Sequence, residues 1–577
     1  MGKARQGDKR ADISIVLCGQ AGQGVQTVES LLTRILKRSG YHVFATKEYM
    51  SRVRGGANST TIRVSDKPVA AYVSRMDILI ALNAGAIEHV AERLSSDTIV
   101  LAEGEAIAAV DPQAARLFEV PFTQTASDIG NKIYSNIVAV GAIAGLLGLD
   151  LDQASDYVKH FFARKSEDIV SNNVKALAAG YDAAGKLGLT DETKLRIKGS
   201  AKVKDQLLLS GDEAVGLGAI AGGCRFIAAY PMSPSTGVLT FLARHGAEHG
   251  VLAEQAEDEI AAMNMALGAW YAGTRALAST SGGGFALMTE GLSLAGMIES
   301  PVVVHLAQRP GPATGLPTRS EQADLELALY AGHGEFPRII FAPGTIQQAF
   351  ELTHKAFNLA DKYQVPVFVL TDQYLMDSYY NVPGLDLAKA KVEQHVVKTD
   401  KDYRRFKITK NGISPRGIPG FGDGLVAVDS DEHDEEGHIT EDLNLRVRMV
   451  DKRLAKGEAL KREIIHPELV GPRDYKTLVI CWGSTYHVVK EGLARLGRKN
   501  AALLHYRQVY PLHPSTADYV KKARKTVVVE NNATGQFRKL IRLYAGVDTD
   551  EGLVKYDGLS FAVEEIADGL TEALKGK

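Results

Sequence analysis

The stretch from Tyr230 to Thr318 constrains the fold most, because short apolar runs alternate in it with segments of helical periodicity. A polar or glycine-rich loop follows each apolar run, and the loops read Y-P-M-S-P-S-T, E-D-E, S-T-S-G-G-G and R-P-G-P-A-T-G-L-P-T. Such alternation predicts parallel strands, whose carboxyl ends meet at one edge of the sheet where ligands bind. The sequence therefore predicts an α/β fold with a ligand site at this edge.

Strand–turn–helix patterns recur on both sides of this stretch, so we predict several parallel-sheet domains rather than one. A chain of 577 residues is also too long for a single core. We expect an α/β domain over residues 11–195, a second over 200–380, a connector of lower apolar content over 381–470, and a third α/β domain over 471–577.

The charge balance and the cysteines limit the class of protein. The chain has 67 basic and 69 acidic residues, which argues against a nucleic-acid-binding protein, since these usually carry a basic excess. Cys18, Cys224 and Cys481 lie too far apart for a disulfide framework and are too few for an iron–sulfur cluster. No run of 18 apolar residues and no signal peptide is evident. These features predict a cytoplasmic protein without a membrane span.

Two glycine-containing segments near the start of the chain are candidate phosphate sites. The first, Gly19–Gly24, connects a strand to a helix with the spacing G-x-x-G-x-G, which differs from the dinucleotide fingerprint. It fits a phosphate loop and a tight turn equally well. The second places Arg52 and Arg54 beside two glycines. Taken alone, this segment is more typical of a solvated turn than of a phosphate clamp.

Glu259 is expected to begin a helix that is rich in small residues. A glutamate in the first turn is favoured by the helix macrodipole, so a purely structural role is the ordinary interpretation for such a residue. Glu257 lies two residues earlier in the same turn. A single buried carboxylate would serve proton transfer better than a surface cluster.

Two segments of the connector suggest metal sites but are better explained otherwise. Gly422-Asp423-Gly424 resembles part of a metal–diphosphate motif, but no apolar strand precedes it and only Asn444 could serve as the asparagine ligand. We interpret it as a turn. The acidic run from Asp429 to His438 could bind a cation, but such mixtures are more often solvated loops.

Four motifs in order make the chain resemble the 2-oxoacid:ferredoxin oxidoreductases, specifically a fused γ–α subunit of the 2-oxoglutarate type. The resemblance covers nearly the whole length. The segments around Gly19 and Arg52 look like the γ domain. Tyr230–Thr236 is similar to the family's Y-P-I-T-P-S-T, Arg309–Thr318 to R-P-G-P-S-T-G-L-P-T, and Glu530–Gln536 to E-N-N-x-T-G-Q.

The resemblance implies a thiamine diphosphate enzyme in which this chain supplies the pyrimidine-binding domain and a transketolase C-terminal-like domain. The catalytic glutamate falls on Glu259, nine residues before Gly268, with Glu257 as the second candidate. The thiamine pocket would include Pro231 and Ser233. Serine replaces the family's threonine at position 233, which keeps the hydroxyl and loses a methyl group.

The substrate carboxylate would pair with Arg309, with Ser233 and Thr318 contributing hydroxyls. Thr318 fits equally well as the N-cap of a capping box with Glu321. The phosphates of coenzyme A would lie near the γ domain, on Gly22, Gly24, Arg52 and Arg54.

The implied reaction interconverts 2-oxoglutarate plus CoA with succinyl-CoA plus CO₂, in the oxidative direction or in the reductive direction of a reductive TCA cycle. Mg²⁺ and a [4Fe–4S] cluster would belong to a partner β subunit, which exchanges electrons with ferredoxin. A dimer of such heterodimers is expected. The alternatives are an enzyme for pyruvate or branched-chain 2-oxoacids, which shares the fold but differs in the pocket, and a non-catalytic CoA- or nucleotide-binding scaffold.

Overall fold

The protein is described by a computed structural model that covers residues 12–20, 24–50, 56–189 and 199–575. Two compact units divide the chain. The first takes the residues up to Leu209 together with two later segments, Ser378–Gly384 and Ala562–Glu564. The second takes Ser210–Asp377, Leu385–Phe561 and the residues from Glu565 onward. Each unit is α/β, as the sequence predicts.

The strands of the described residues form three sheets. In chain order the strands are β1 Asp12–Gln20, β2 His42–Glu48, β3 Ala57–Ser65, β4 Ile78–Ala81, β5 Ile99–Ala102, β6 Arg116–Glu119, β7 Leu207–Ser210, β8 Phe226–Ala229, β9 Leu252–Gln255, β10 Ala276–Thr280, β11 Val302–Gln308, β12 Ile339–Phe341, β13 Pro366–Asp372, β14 Tyr379–Val382, β15 Glu468–Val470, β16 Thr477–Trp482, β17 Ala501–Tyr506, β18 Gln508–Tyr510, β19 Lys525–Glu530 and β20 Glu551–Val554.

The α-helices of the described residues cover these sheets or connect their strands. In chain order they are α1 Val25–Arg38, α2 Ala84–Val90, α3 Gly104–Ala108, α4 Phe122–Ile129, α5 Ser135–Leu146, α6 Leu151–Phe161, α7 Glu167–Lys186, α8 Ala201–Lys204, α9 Gly211–Ala221, α10 Thr236–His249, α11 Glu259–Tyr271, α12 Gly282–Met297, α13 Leu325–Tyr330, α14 Ile346–Tyr363, α15 Gln373–Asp377, α16 Leu443–Leu460, α17 Tyr486–Leu496, α18 Thr516–Lys522, α19 Gln536–Ala545 and α20 Val563–Ala573. No helix of the described residues is long and apolar enough to cross a membrane.

The first unit is built on an eight-stranded mixed sheet in the order β6-β5-β4-β1-β3-β2-β14-β7. The central strand β1 pairs in parallel with β4 and antiparallel with β3, and six consecutive residues of β1 are buried. Helices α5 and α7 pack backbone to backbone, because a side chain on Gly141 would overlap the Leu177 carbonyl oxygen and one on Gly180 would overlap that of Val138. Helix α7, which covers Glu167–Lys186, is therefore packed closely on α5.

The second unit contains the sheet predicted around Tyr230. Its order is β18-β12-β13-β11-β10-β8-β9, and every pair except β12–β18 is parallel. The inner strands β10, β11 and β13 are buried along their full length, as expected for parallel strands covered on both faces. Their carboxyl ends share one edge, which confirms the predicted α/β architecture there. A second, five-stranded sheet in this unit runs β15-β17-β16-β19-β20.

The connector from Leu385 is largely irregular until α16 begins, and buried charges fix it to the second unit. Glu299 is 1 % exposed and forms ion pairs with Lys452 and Lys456 of α16. These lysines hold the pKa of Glu299 well below its usual range, although burial alone would raise it. Removing the partners of a buried carboxylate lowers the free energy of unfolding by several kcal/mol.

The two connector segments that resemble metal sites make contacts with other residues of this chain. Gly422 adopts a left-handed φ of 118° in a bend whose flanking backbone bonds to Thr399, as expected for a turn. In the acidic run, Glu432 binds Arg446 and Arg453 rather than facing water. No group of three or more potential metal ligands occurs among the described residues.

Candidate active site

The candidate site lies at the carboxyl edge of the large sheet of the second unit, where α12 begins. Strand β8 leads to the segment that contains Pro231 and Ser233, β10 leads into α12, and β11 leads to Arg309. Parallel strands bring these three loops to one edge. Glu259 joins them from the first turn of α11.

Glu259 is the buried carboxylate of this edge. Asp258 caps α11 by accepting a hydrogen bond from the Ala261 backbone N–H at 2.7 Å, which starts the helix at Glu259. Glu259 is only 4 % exposed, and its Oε1 atom has no hydrogen-bond partner among the described residues. Glu257 is exposed. An unsatisfied buried carboxylate oxygen is costly, so it points to a missing donor.

Glycines at the start of α12 make room for this carboxylate. A β-carbon on Gly284 would lie 2.5 Å from Glu259 Oε1, which is closer than real β-carbons approach an oxygen. Gly283 is exposed, and a β-carbon there would meet the Ala313 carbonyl oxygen at an ordinary 3.4 Å. Ser281, the N-cap of α12, does not cap the helix with its side chain, and its buried Oγ has no partner among the described residues. The helix start therefore leaves polar atoms free for a ligand.

Arg309 supplies the positive charge of the site. It is 8 % exposed, and its Nη1 donates a 2.8 Å hydrogen bond to the Ser233 carbonyl oxygen. No carboxylate of the described residues forms an ion pair with it. Burial lowers the pKa of Arg309, and the nearby charge of Asp324 opposes this effect. A buried guanidinium without a paired carboxylate is suited to binding an anion.

Thr318 does not cap a helix. It is 8 % exposed, and the next helix, α13, begins only at Leu325. The capping-box interpretation of Thr318 with Glu321 is therefore wrong. Pro231 and Ser233 are half-buried in the loop after β8.

Asp324 was not singled out from the sequence. Its buried Oδ2 atom has no hydrogen-bond partner among the described residues, and a β-carbon on Gly282 would lie 2.6 Å from its Oδ1. Burial raises the pKa of Asp324 to about 7, the charge of Glu321 adds to the rise, and Arg309 opposes it. An aspartate just before a short helix is common as a cap, so its sequence context alone does not indicate a role in a site.

The structure describes only one of the four residues predicted to bind coenzyme A. Gly22, Arg52 and Arg54 lie outside the described residues. Gly24 is described, and it adopts a left-handed φ of 75° where α1 begins. A β-carbon there would overlap the side-chain amide of Asn136. A tight turn and a phosphate loop both need glycine at such a position, so these four residues stay a prediction.

Two protein families match the chain. Residues 217–452 match the family described as "Pyruvate flavodoxin/ferredoxin oxidoreductase, thiamine diP-bdg", and residues 14–183 match "Pyruvate ferredoxin/flavodoxin oxidoreductase". The first match contains all of the candidate site described above. Fold and site therefore define an oxidoreductase with a thiamine-diphosphate-binding domain.

Full-length relatives narrow the class. A 2-oxoacid:ferredoxin oxidoreductase subunit alpha from Sulfolobus sp. is 31% identical, over 98% of this chain and 97% of its own length. The 2-oxoglutarate oxidoreductase subunit KorA of Mycobacterium tuberculosis is 27% identical, over 98% and 92%. This chain belongs to the 2-oxoacid:ferredoxin oxidoreductase family, and its full-length relatives are α subunits.

A solved structure agrees with this assignment. The 2-oxoglutarate:ferredoxin oxidoreductase of Magnetococcus marinus, solved with 2-oxoglutarate, coenzyme A and succinyl-CoA bound, superposes with a TM-score of 0.92. The two chains are 29% identical, and the match covers 98% of this chain and all of the other. The resemblance deduced from the four motifs is confirmed at the level of the family and the fold.

Proposed function

We propose that this chain is a subunit of a 2-oxoglutarate:ferredoxin oxidoreductase, which interconverts 2-oxoglutarate plus CoA with succinyl-CoA plus CO₂ and exchanges electrons with ferredoxin. The observation that carries the proposal is the pair of buried charged groups at this sheet edge. Glu259 contacts Gly284 in the first turn of α12, and Arg309 donates to the Ser233 carbonyl oxygen in the loop after β8. The likeness to the Magnetococcus marinus enzyme, which holds 2-oxoglutarate and CoA, supports the choice of substrate.

The pyrimidine ring of thiamine diphosphate fits beside Glu259. The buried Oε1 atom has no donor among the described residues, and Gly284 leaves room for the carboxylate that any side chain there would displace. When bound, thiamine diphosphate supplies the carbon nucleophile and the electron sink that decarboxylation of a 2-oxoacid requires. With the cofactor bound, the Glu259 carboxyl group would exchange a proton with the ring, which is general acid–base catalysis. Pro231 and Ser233 line the same pocket from the loop after β8.

Arg309 and two hydroxyl groups orient the substrate. The guanidinium of Arg309 pairs with the carboxylate next to the keto group, and its bond to the Ser233 carbonyl oxygen fixes the direction of the side chain. Ser233 and Thr318 offer hydroxyls to the substrate. Arg309 and Thr318 are themselves buried, which keeps water away from the guanidinium and strengthens the charge pairing.

A partner β subunit completes the enzyme. It supplies Mg²⁺ for the diphosphate and a [4Fe–4S] cluster that passes single electrons to ferredoxin. The positions of the cysteines of this chain support the assignment, because Cys18, Cys224 and Cys481 are each buried and burial raises the pKa of each thiol, whereas cluster ligands are thiolates. Two α and two β chains form the assembly.

Coenzyme A binds the first unit through Gly22, Gly24, Arg52 and Arg54. The cytoplasm is the site of action, and the direction of the reaction can be oxidative or reductive, as in a reductive TCA cycle. Pyruvate is the second candidate substrate, since it appears in the names of both matched families.

The test is turnover of the purified αβ complex with thiamine diphosphate, CoA and a viologen dye as electron acceptor. We expect kcat/KM for 2-oxoglutarate to exceed that for pyruvate. A preference for pyruvate would make pyruvate the proposed substrate and leave the proposed decarboxylation and electron transfer unchanged. Binding of CoA without turnover of any 2-oxoacid would favour the alternative of a non-catalytic CoA-binding scaffold.

A further inference from the structure

Asp324 is held against the start of α12 by its own backbone. Its N–H donates a 3.0 Å hydrogen bond to Gln308 Oε1, and Gln308 is in turn held by the Thr371 carbonyl oxygen. The carboxyl group lies so close to Gly282 that no side chain fits between them. Asp324 therefore belongs to the edge of the sheet that carries Arg309.

The loop around Asp324 is also fixed from the smaller sheet of the same unit. The Gln322 N–H donates to the Asn531 carbonyl oxygen at 2.7 Å, and the Asn532 side chain donates to the Gln322 carbonyl oxygen at 3.1 Å. All three side chains are neutral and buried. The Asp324 side chain is partly exposed, but its Oδ2 atom is buried and has no hydrogen-bond partner among the described residues, so negative charge on this atom is poorly solvated.

Few charged groups face this carboxyl group. Arg309 lies at the end of β11, Glu321 lies in the same loop, and Glu259 contacts Gly284 in the same first turn of α12. Glu326 at the start of α13 is already paired with Lys539 at 3.1 Å. Within the part of the chain that the structure describes, Arg309 is the cation whose charge acts on the Asp324 carboxyl group.

We propose that Asp324 is a positioning residue that takes up a proton when the carboxylate of a 2-oxoacid binds Arg309, so that substrate affinity depends on pH through this side chain. The inference rests on the proposed role of Arg309 in the function stated above. One guanidinium cannot balance two buried carboxylates as well as one, so the arrival of an anion disfavours the ionised form of its neighbour.

The sign of the effect follows from the free protein, in which burial raises the pKa of Asp324 to about 7. Below about pH 6 the carboxyl group is already neutral, and substrate binds without proton uptake. Above about pH 8 it is ionised, and binding requires nearly one proton. The dissociation constant then rises by up to about tenfold per pH unit. The neutral form keeps Arg309 free for the substrate.

Calorimetry of the assembled αβ complex tests this directly. Glu259→Gln stops turnover and removes one further carboxyl group that could take up a proton. 2-Oxoglutarate is titrated into this variant complex in two buffers that differ in ionisation enthalpy, and the difference in heat gives the number of protons bound. We expect almost no proton to be taken up per substrate bound at pH 6, and close to one proton at pH 8. Adding Asp324→Asn should abolish the uptake and make the dissociation constant nearly independent of pH.

Glu321→Gln is the matched control, because it removes the neighbouring carboxylate and leaves Asp324 in place. It should keep the proton uptake and shift its onset to lower pH. Binding of 2-oxoglutarate without uptake at pH 8, or unchanged uptake in Asp324→Asn, would overturn the inference and leave the proposed function standing. Should Asp324→Asn fail to fold, the proton count in the complex that retains Asp324 decides.

The same titration with pyruvate separates the two proposals. Binding and uptake with pyruvate but no binding of 2-oxoglutarate would remove the proposed substrate and keep the role of Asp324. A complex that binds neither anion would remove both.

Discussion

Gly284 and Glu259 fit together so closely that the glycine cannot be replaced without moving the carboxylate. A β-carbon at position 284 would lie 2.5 Å from Glu259 Oε1. The two residues are 25 positions apart in the sequence, yet the start of α12 lies over the first turn of α11. The glycine therefore leaves room for the Glu259 carboxylate at this position.

Gly284→Ala should displace Glu259 and destabilise the chain. Inserting a methyl group into a packed site costs about 1–3 kcal/mol, and a displaced carboxylate should lower kcat by more than about tenfold. Gly283→Ala is the matched control for stability, because its β-carbon meets only ordinary contacts. Thermal unfolding of both variants checks this. Equal melting temperatures for the two would contradict the packing described here.

Glu259→Gln should remove turnover while the αβ complex still assembles. The amide keeps the size of the side chain but cannot exchange a proton, and loss of a general acid–base group lowers kcat by about 10²- to 10⁴-fold. Steady-state kinetics and size-exclusion chromatography measure the two effects. Glu257→Gln, on the exposed neighbour, should leave kcat close to that of the parent enzyme. Near-normal turnover in Glu259→Gln would contradict the proposed acid–base role of Glu259.

Arg309→Ala should lower kcat/KM for the 2-oxoacid by a factor equivalent to about 2–5 kcal/mol, as for a broken buried charge pair. Arg309→Lys retains the charge but loses the planar, two-pronged geometry, so it should recover only part of the loss. Initial-rate kinetics with the assembled complex measure both. An unchanged kcat/KM in the alanine variant would show that another cation binds the substrate.

Glu299→Gln should destabilise the second unit strongly. It leaves Lys452 and Lys456 buried without their counter-charge, and breaking a buried pair costs about 3–5 kcal/mol. Glu458→Gln breaks the exposed pair with Lys461 and should change the unfolding free energy by less than about 1 kcal/mol. Urea unfolding compares the two variants, and similar midpoints would contradict the anchoring role of Glu299.

The sequence predicted the features that depend on neighbouring residues. Strand β11 and the helix that begins at Glu259 follow from local apolar periodicity and from a carboxylate in the first turn. The converging loops follow from the rule for parallel sheets. Glu259, Ser233 and Arg309 lie in these loops, and the resemblance of the motifs around them to those of the family singles them out, so their roles are proposals.

Features that depend on distant segments could not be predicted. Tyr379–Val382 pairs with β2, more than 300 residues earlier, and β18 joins the large sheet antiparallel to β12. The importance of Asp324 depends on Gln308, Gly282 and Asn531 meeting in space. A short apolar or acidic segment carries no local sign of such partners, because these pairings depend on the whole chain.

The central claim is that this chain supplies the proton-handling half of a thiamine site and needs a second chain for the metal and the electrons. The most direct measurement is reduction of a viologen dye by 2-oxoglutarate, CoA and thiamine diphosphate, with this chain alone, with its β partner alone, and with both. We predict activity only with both chains, and thiamine diphosphate bound in the purified complex. Decarboxylation by this chain alone, or an active complex without thiamine diphosphate, would contradict the account.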